Sequence, residues 1–200
     1  EIPLPVELCV DVIKRQRDLA NFTDTEMTAN AFLSLWKRMP WGEKTTLNGI
    51  IMVDPVVVQA LVKVTGDVKL PDGTVLNGNN TAQFMMNTVY TEHEPEETNA
   101  YFGIVAKACV GTLMKHMDMK TIGSLAKDLR TLAKERHLAM YSFTPSLEDL
   151  IKAAGFSATL PTDKVNPTLG VYLTEQNPSK MGWYIKRSTK IKQICTDSAP

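Results

Sequence analysis

Two hundred residues with 44% apolar side chains are enough for one domain with a proper core. Lys plus Arg equal Asp plus Glu at 22 each, which leaves no bulk charge to draw the chain to nucleic acid or an anionic membrane. No apolar run reaches the roughly 18–20 residues of a membrane span, and the opening EIPLPVELCV lacks the basic region of a signal peptide. The chain opens on Glu1 rather than Met, which reads as an excised part of something longer.

In chain order, clustered apolar positions (Val6, Cys9, Val12, Ile13, Leu19) predict a helix or a tethered lead-in over 6–20. Thr23-Asp24-Thr25-Glu26 has the spacing of a capping box, with Thr23 at the N-cap. It opens a helix with an apolar stripe of Met27, Ala31, Leu35 and Met39, flanked by Phe32 and Trp36. Residues 47–53 predict a strand, apolar on both faces from Ile50 onward and therefore central. Asp54-Pro55 then starts a helix that Val57, Val58, Leu61, Val62 and Val64 bury and Gly66 stops.

Pro71-Asp72-Gly73 sits between two short apolar runs and predicts a hairpin. Asn79-Asn80-Thr81 should cap a helix to about Tyr90. Pro95 follows an acidic run and opens a longer helix, since first-turn carboxylates suit the positive helix end. A further helix spans roughly 121–136, a strand 137–142, and a helix from Thr144-Pro145 to Gly155. Two last strands, 168–174 and 182–194, are expected either side of Gln176-Asn177-Pro178-Ser179-Lys180. The resulting class is α/β, a mixed sheet flanked by several helices in two or three layers, as a single domain over 1–200.

Familiar chemical signatures are missing. The chain has no G-x-x-x-x-G-K-[ST], G-x-G-x-x-G or G-x-S-x-G, so neither a phosphate loop nor a nucleophile elbow is indicated. His93, His116 and His137 are far apart, and His93-Glu94 runs into Pro95, which rules out a helical H-E-x-x-H zinc site. The acidic run 92–97 reads as a solvated first turn rather than a calcium site. No cofactor, metal site or catalytic constellation is expected. Cys109 lies in an apolar helix and reads as a small buried hydrophobe, while Cys9 and Cys195 can bridge only if the termini meet in an oxidising compartment.

Two places remain as candidate ligand contacts. Helix capping accounts for Asp54 and Pro55; the alternative is a cleft carboxylate at the carboxyl end of a strand, where α/β proteins bind ligands. On the capping reading, Asp54→Asn and Asp54→Ser should be nearly silent. Near the C-terminus, Ser179, Lys180, Tyr184 and Arg187 stand in an order that a simple turn does not require, within a run that also holds Lys186, Lys190 and Lys192. Alternation would place Trp183 and Ile185 on one face of a strand, with Tyr184 and Lys186 on the other. The competing reading is a charged edge strand that discourages aggregation.

The run NGIIMVDPVVVQALVKVTGDVKLPDGTVLNGNNTAQFMMNTVY (48–90) resembles a bacterial family called domain of unknown function 4012. LAKERHLAMYSFTPSLEDLIKAAGFSATLP (132–161) and LGVYLTEQNPSKMGWYIKRS (169–188) resemble it too, so the likeness extends over about 21–190. The family usually starts with an Asn/Glu/Arg-rich, Gly-Gly-containing strand block, which this chain lacks. The resemblance implies an exported part of a longer, membrane-anchored Gram-positive envelope protein on the extracellular face of the cytoplasmic membrane, a binding or scaffolding module for a cell-wall polymer or envelope protein. Residues 49–117 also resemble, more distantly, the LytR-CpsA-Psr phosphotransferases, which implies transfer of lipid-linked glycopolymers as the alternative. Phosphoryl transfer depends on stabilising charge, yet no arginine occurs between Arg38 and Arg130.

Overall fold

Asp24 starts the first helix, α1 (Thr25–Lys37), in the computed structural model, which describes residues 23–40, 42–115, 119–160, 165, 169–172 and 179–192. Within these ranges the side chains of 112–115, 119–122 and 124 are left aside. The lead-in helix over 6–20 and the Cys9–Cys195 bridge fall outside the described residues.

The expected capping box is displaced by one residue. The Asp24 backbone is extended, so its carboxylate accepts from the Met27 N–H at 2.9 Å, and Thr23 precedes the cap. Of the predicted stripe on α1, Ala31 is fully buried and Met27, Leu35 and Met39 are not. Thr25, Thr28, Ala29 and Ala31 are buried, while Met27, Phe32, Leu35 and Trp36 are half-buried. Small side chains let the helix lie close to the strand it packs on.

That strand is β4 (Leu138–Ser142), which pairs antiparallel with β1 (Gly49–Val53), from Gly49 opposite Ser142 to Val53 opposite Leu138. Helix α2 (Pro55–Thr65) follows β1 directly, with Pro55 at its first position and Gly66 at its end in a positive-φ conformation. The hairpin forms as expected, with β2 (Val68–Lys69) and β3 (Val75–Leu76) joined through Asp72 and Gly73. The helical segment α3 then runs from Thr81 to Thr91. In it a π-helical turn, Phe84–Thr88, separates short α stretches, Thr81–Gln83 and Val89–Thr91. Helices α4 (Pro95–Lys115) and α5 (Met119–Lys134), then β4 and α6 (Pro145–Ala154), complete the order before a 3-10 turn at Met181–Tyr184.

Helix α2 is apolar on nearly every side because it divides two cores. Its Val62 joins Val68, Leu70, Leu76, Phe84, Val89, Tyr101, Val105 and Cys109, the packed centre of hairpin, α3 and α4. Its Val57 faces the other way, onto Ala133 and Leu138, with Leu129, Leu132 and Phe156 around them. Leu61 touches both clusters. A helix hydrophobic all round must be surrounded. Cys109 packs as the expected hydrophobe, and burial pushes its thiol up from the ordinary value.

The class is α/β, helix-rich, with the described strands forming two small antiparallel sheets, β1 with β4 and β2 with β3. Strand β1 is not central among the described residues. Ile51 is 63% exposed and Val53 49%, because β1 has one partner and only the Ile50 and Met52 face turns toward packed elements. The two C-terminal strands are corrected as well. Residues 169–172 and 185–192 are irregular, and Met181–Tyr184 is a 3-10 turn. Alternating side chains specify a strand only where a neighbouring strand offers a ladder, and none reaches this segment among the described residues.

Candidate functional site

The residues nominated from sequence lie in two places, and a third cluster appears that was not foreseen. At the first, Asp54 works in two directions. Its Oδ1 accepts from the N–H groups of Val56 (2.8 Å) and Val57 (3.3 Å), so it is the cap that the sequence indicated. Its Oδ2 lies 2.6 Å from Nδ1 of His137, and its backbone N–H donates to the His137 carbonyl at 3.2 Å. A carboxylate that caps a helix is an acceptor on both oxygens, so the hydrogen in the 2.6 Å contact belongs to Nδ1. The Nε2 edge of the imidazole is then left to act as donor or acceptor, on a side chain 33% exposed.

His137 reaches Asp54 because of how α5 ends. Arg136 adopts φ +64, its N–H donates to Ala133, and the His137 N–H donates to Leu132. This is a Schellman closure with arginine in the left-handed position that glycine usually takes. The Arg136 guanidinium is held by the Ala158 carbonyl at 3.2 Å and lies 5.5 Å from the Tyr172 ring centroid. Helix α6 closes the same way, there with Gly155 at φ +80.

At the second place, the C-terminal segment docks on α3. The Lys180 ammonium sits 4.3 Å from the Tyr90 ring centroid, a cation–π contact. The Tyr184 hydroxyl accepts from the Asn87 amide at 2.7 Å, and Asn87 belongs to the π-helical turn. Ser179 is turned inward locally, its hydroxyl accepting from the Met181 N–H at 3.3 Å. Arg187 is exposed, in the irregular stretch beyond Tyr184. The structure thus brings Lys180 and Tyr184 to one helix, with Ser179 beside them. Asp54 is engaged with His137 instead.

Asn87 and Tyr90 were missed from sequence. Nothing in TAQFMMNTVY marks a π turn, although such turns recur at functional sites. The cap of α3 is also unexpected. Asn80 stands at the N-cap but spends its amide on β3, accepting from the Asn77 N–H at 2.7 Å and donating to the Val75 carbonyl at 2.9 Å. The acceptor that reaches into the helix start is Gln59 of α2, taking the Ala82 N–H at 2.9 Å.

The third cluster surrounds His93. Its Nε2 is 3.7 Å from Asp72 of the hairpin turn and its Nδ1 is 3.7 Å from Glu97 of α4. The ring lies 4.6 Å from that of Tyr101 and 5.8 Å, edge-on, from Phe84. The Thr74 backbone N–H, donating at 2.9 Å, holds the Asp72 carboxyl below the ordinary aspartate value, and His93 adds to this. Burial, followed by Asp72 and Glu97, pushes the Tyr101 phenol up. The rest of the acidic run is exposed, and among the described residues no group of His, Cys, Asp and Glu is arranged to hold a metal ion.

A cleft of about 470 Å³ opens elsewhere, between α1 and the stretch after it, lined by Leu33, Lys37, Glu43, Thr46 and Phe143. None of the nominated residues borders it. Among the described residues no helix is long and apolar enough to cross a membrane.

The chain is a helix-rich α/β module whose nominated polar residues gather at one helix cap and one docked C-terminal segment. Residues 11–90 match the model of a family described as protein of unknown function (DUF4012), to which this stretch of the chain is similar. No curated protein and no solved structure matches the chain.

Proposed function

We propose that the chain is a non-catalytic binding or scaffolding module of the cell envelope, held at the extracellular face of the cytoplasmic membrane. The observation that supports this reading is the double anchorage of the C-terminal segment, Lys180 on Tyr90 and Tyr184 on Asn87. It presents an exposed aromatic and basic surface from a helix built into the larger core, a more precise support than a free tail. The test is co-sedimentation of the purified chain with isolated cell walls of a Gram-positive bacterium. Retention that Lys180→Ala with Tyr184→Ala abolishes is the expected result, and no retention of the unaltered chain overturns the reading.

A second reading is transfer of lipid-linked glycopolymers to the cell wall. The Asp54–His137 pair favours it, because a carboxylate that orients an imidazole is the arrangement of a general base. The arginine-poor stretch between Arg38 and Arg130 weighs against it. Turnover of a labelled polyprenyl-pyrophosphate glycopolymer, lost in His137→Ala, would establish transfer; no turnover eliminates it.

A further inference from the structure

The charge of this chain balances overall but not locally. Residues 180–192 hold five cations, Lys180, Lys186, Arg187, Lys190 and Lys192, and no Asp or Glu, so the remainder of the chain is net negative. Lys180 is engaged with Tyr90. Lys186, Arg187, Lys190 and Lys192 are exposed, and none of them forms an ion pair among the described residues. Trp183, 41% exposed, and Tyr184, 61% exposed, stand immediately before them.

The spacing decides what such a segment can hold. A small anion needs cations that converge on one point. These four are strung along an irregular stretch which, at about 3.3 Å per residue, spans up to roughly 20 Å from Lys186 to Lys192. Charges distributed in this way match a ligand whose own charges are distributed along its length. The flanking Trp183 and Tyr184 offer apolar ring surfaces that suit the faces of sugar rings. The net negative remainder disfavours a polyanion elsewhere on the chain.

We propose that residues 183–192 form a binding site for a linear polyanionic glycan, with Lys186, Arg187, Lys190 and Lys192 taking its repeating carboxylate or phosphodiester charges and Trp183 packing on its sugars. This rests on the binding-module reading above and names its ligand class. The probes are polygalacturonate, neutral dextran, inorganic polyphosphate, vesicles containing phosphatidylglycerol, and isolated cell walls, each titrated against the full chain.

Polygalacturonate should bind and dextran should not. Affinity should fall as salt rises, and the Lys186→Gln/Arg187→Gln/Lys190→Gln/Lys192→Gln variant should bind at least tenfold more weakly with an unchanged circular dichroism spectrum. Trp183→Ala should weaken polygalacturonate severalfold while leaving polyphosphate unaffected. Undiminished binding by the quadruple variant, equal losses for both polyanions in Trp183→Ala, or tighter binding to the vesicles than to polygalacturonate overturns the proposal. Cell-wall retention separates the two claims: retention that survives the quadruple substitution overturns the polyanion site alone, and absence of retention by the unaltered chain overturns the binding-module reading with it.

Discussion

Asp54 and His137 hold each other twice, by Oδ2 and Nδ1 at 2.6 Å between side chains and by N–H and C=O at 3.2 Å between backbones. The pair joins the end of β1 to the residue that precedes β4, at the last rung of their ladder, Val53 opposite Leu138. One aspartate therefore starts a helix and ties off a sheet. The same contact changes what substitutions there should do.

Asp54→Ala should cost about 1–2 kcal/mol for the lost cap, plus up to about 1 kcal/mol for the partly exposed pair. Asp54→Asn keeps a capping oxygen and turns an amide N–H toward Nδ1, which can accept it once the imidazole carries its hydrogen on Nε2, so it should be the mildest change. Asp54→Ser keeps the cap but is too short for His137, and should fall between the two rather than being silent. Urea unfolding of the three variants, with His137→Ala to complete a double-mutant cycle, checks the order and the coupling.

Gln59→Ala should loosen α3 from a distance. It removes the acceptor of the Ala82 N–H without touching α3 itself, at a cost of about 1 kcal/mol. The measurement is amide hydrogen exchange, which should accelerate at the start of α3 while β1 and β4 keep their protection.

Acid should weaken the hairpin through Asp72. Its folded carboxyl lies below the ordinary value, chiefly because of the Thr74 N–H, so it contributes stability above the unfolded pKa of about 4. That contribution is lost as pH falls through the folded value. The melting temperature should therefore drop more steeply below pH 4 in the unaltered chain than in Asp72→Asn, as scanning calorimetry would show.

The two Schellman closures should respond unequally to exchange at their left-handed positions. Gly155→Ala forces a side chain to φ +80 and should destabilise by about 1 kcal/mol. Arg136→Gly relieves a non-glycine residue at φ +64 but forfeits the guanidinium contacts with Ala158 and Tyr172, and should fall within about 0.5 kcal/mol of neutral. Thermal unfolding of both variants tests the contrast.

Local chemistry was legible in the sequence wherever the partner lies within a few residues. Asp54 with Pro55, the Asp72-Gly73 turn, Pro95, and Thr144-Pro145 before α6 each start or turn an element through contacts at most four residues away. The apolar run of α2 likewise announced a buried helix, since no exposed helix carries so many valines. Tertiary structure decided the rest, because there the partner is distant in the chain. His137 lies 83 positions from Asp54, Tyr184 lies 97 from Asn87, and Gln59 lies 23 from Ala82. The alternation in 182–192 was real but meets no neighbouring strand among the described residues, so a backbone with β propensity stayed irregular. Side-chain pattern sets which faces an element can bury. Which distant atom meets each face is decided only when the chain has folded back on itself.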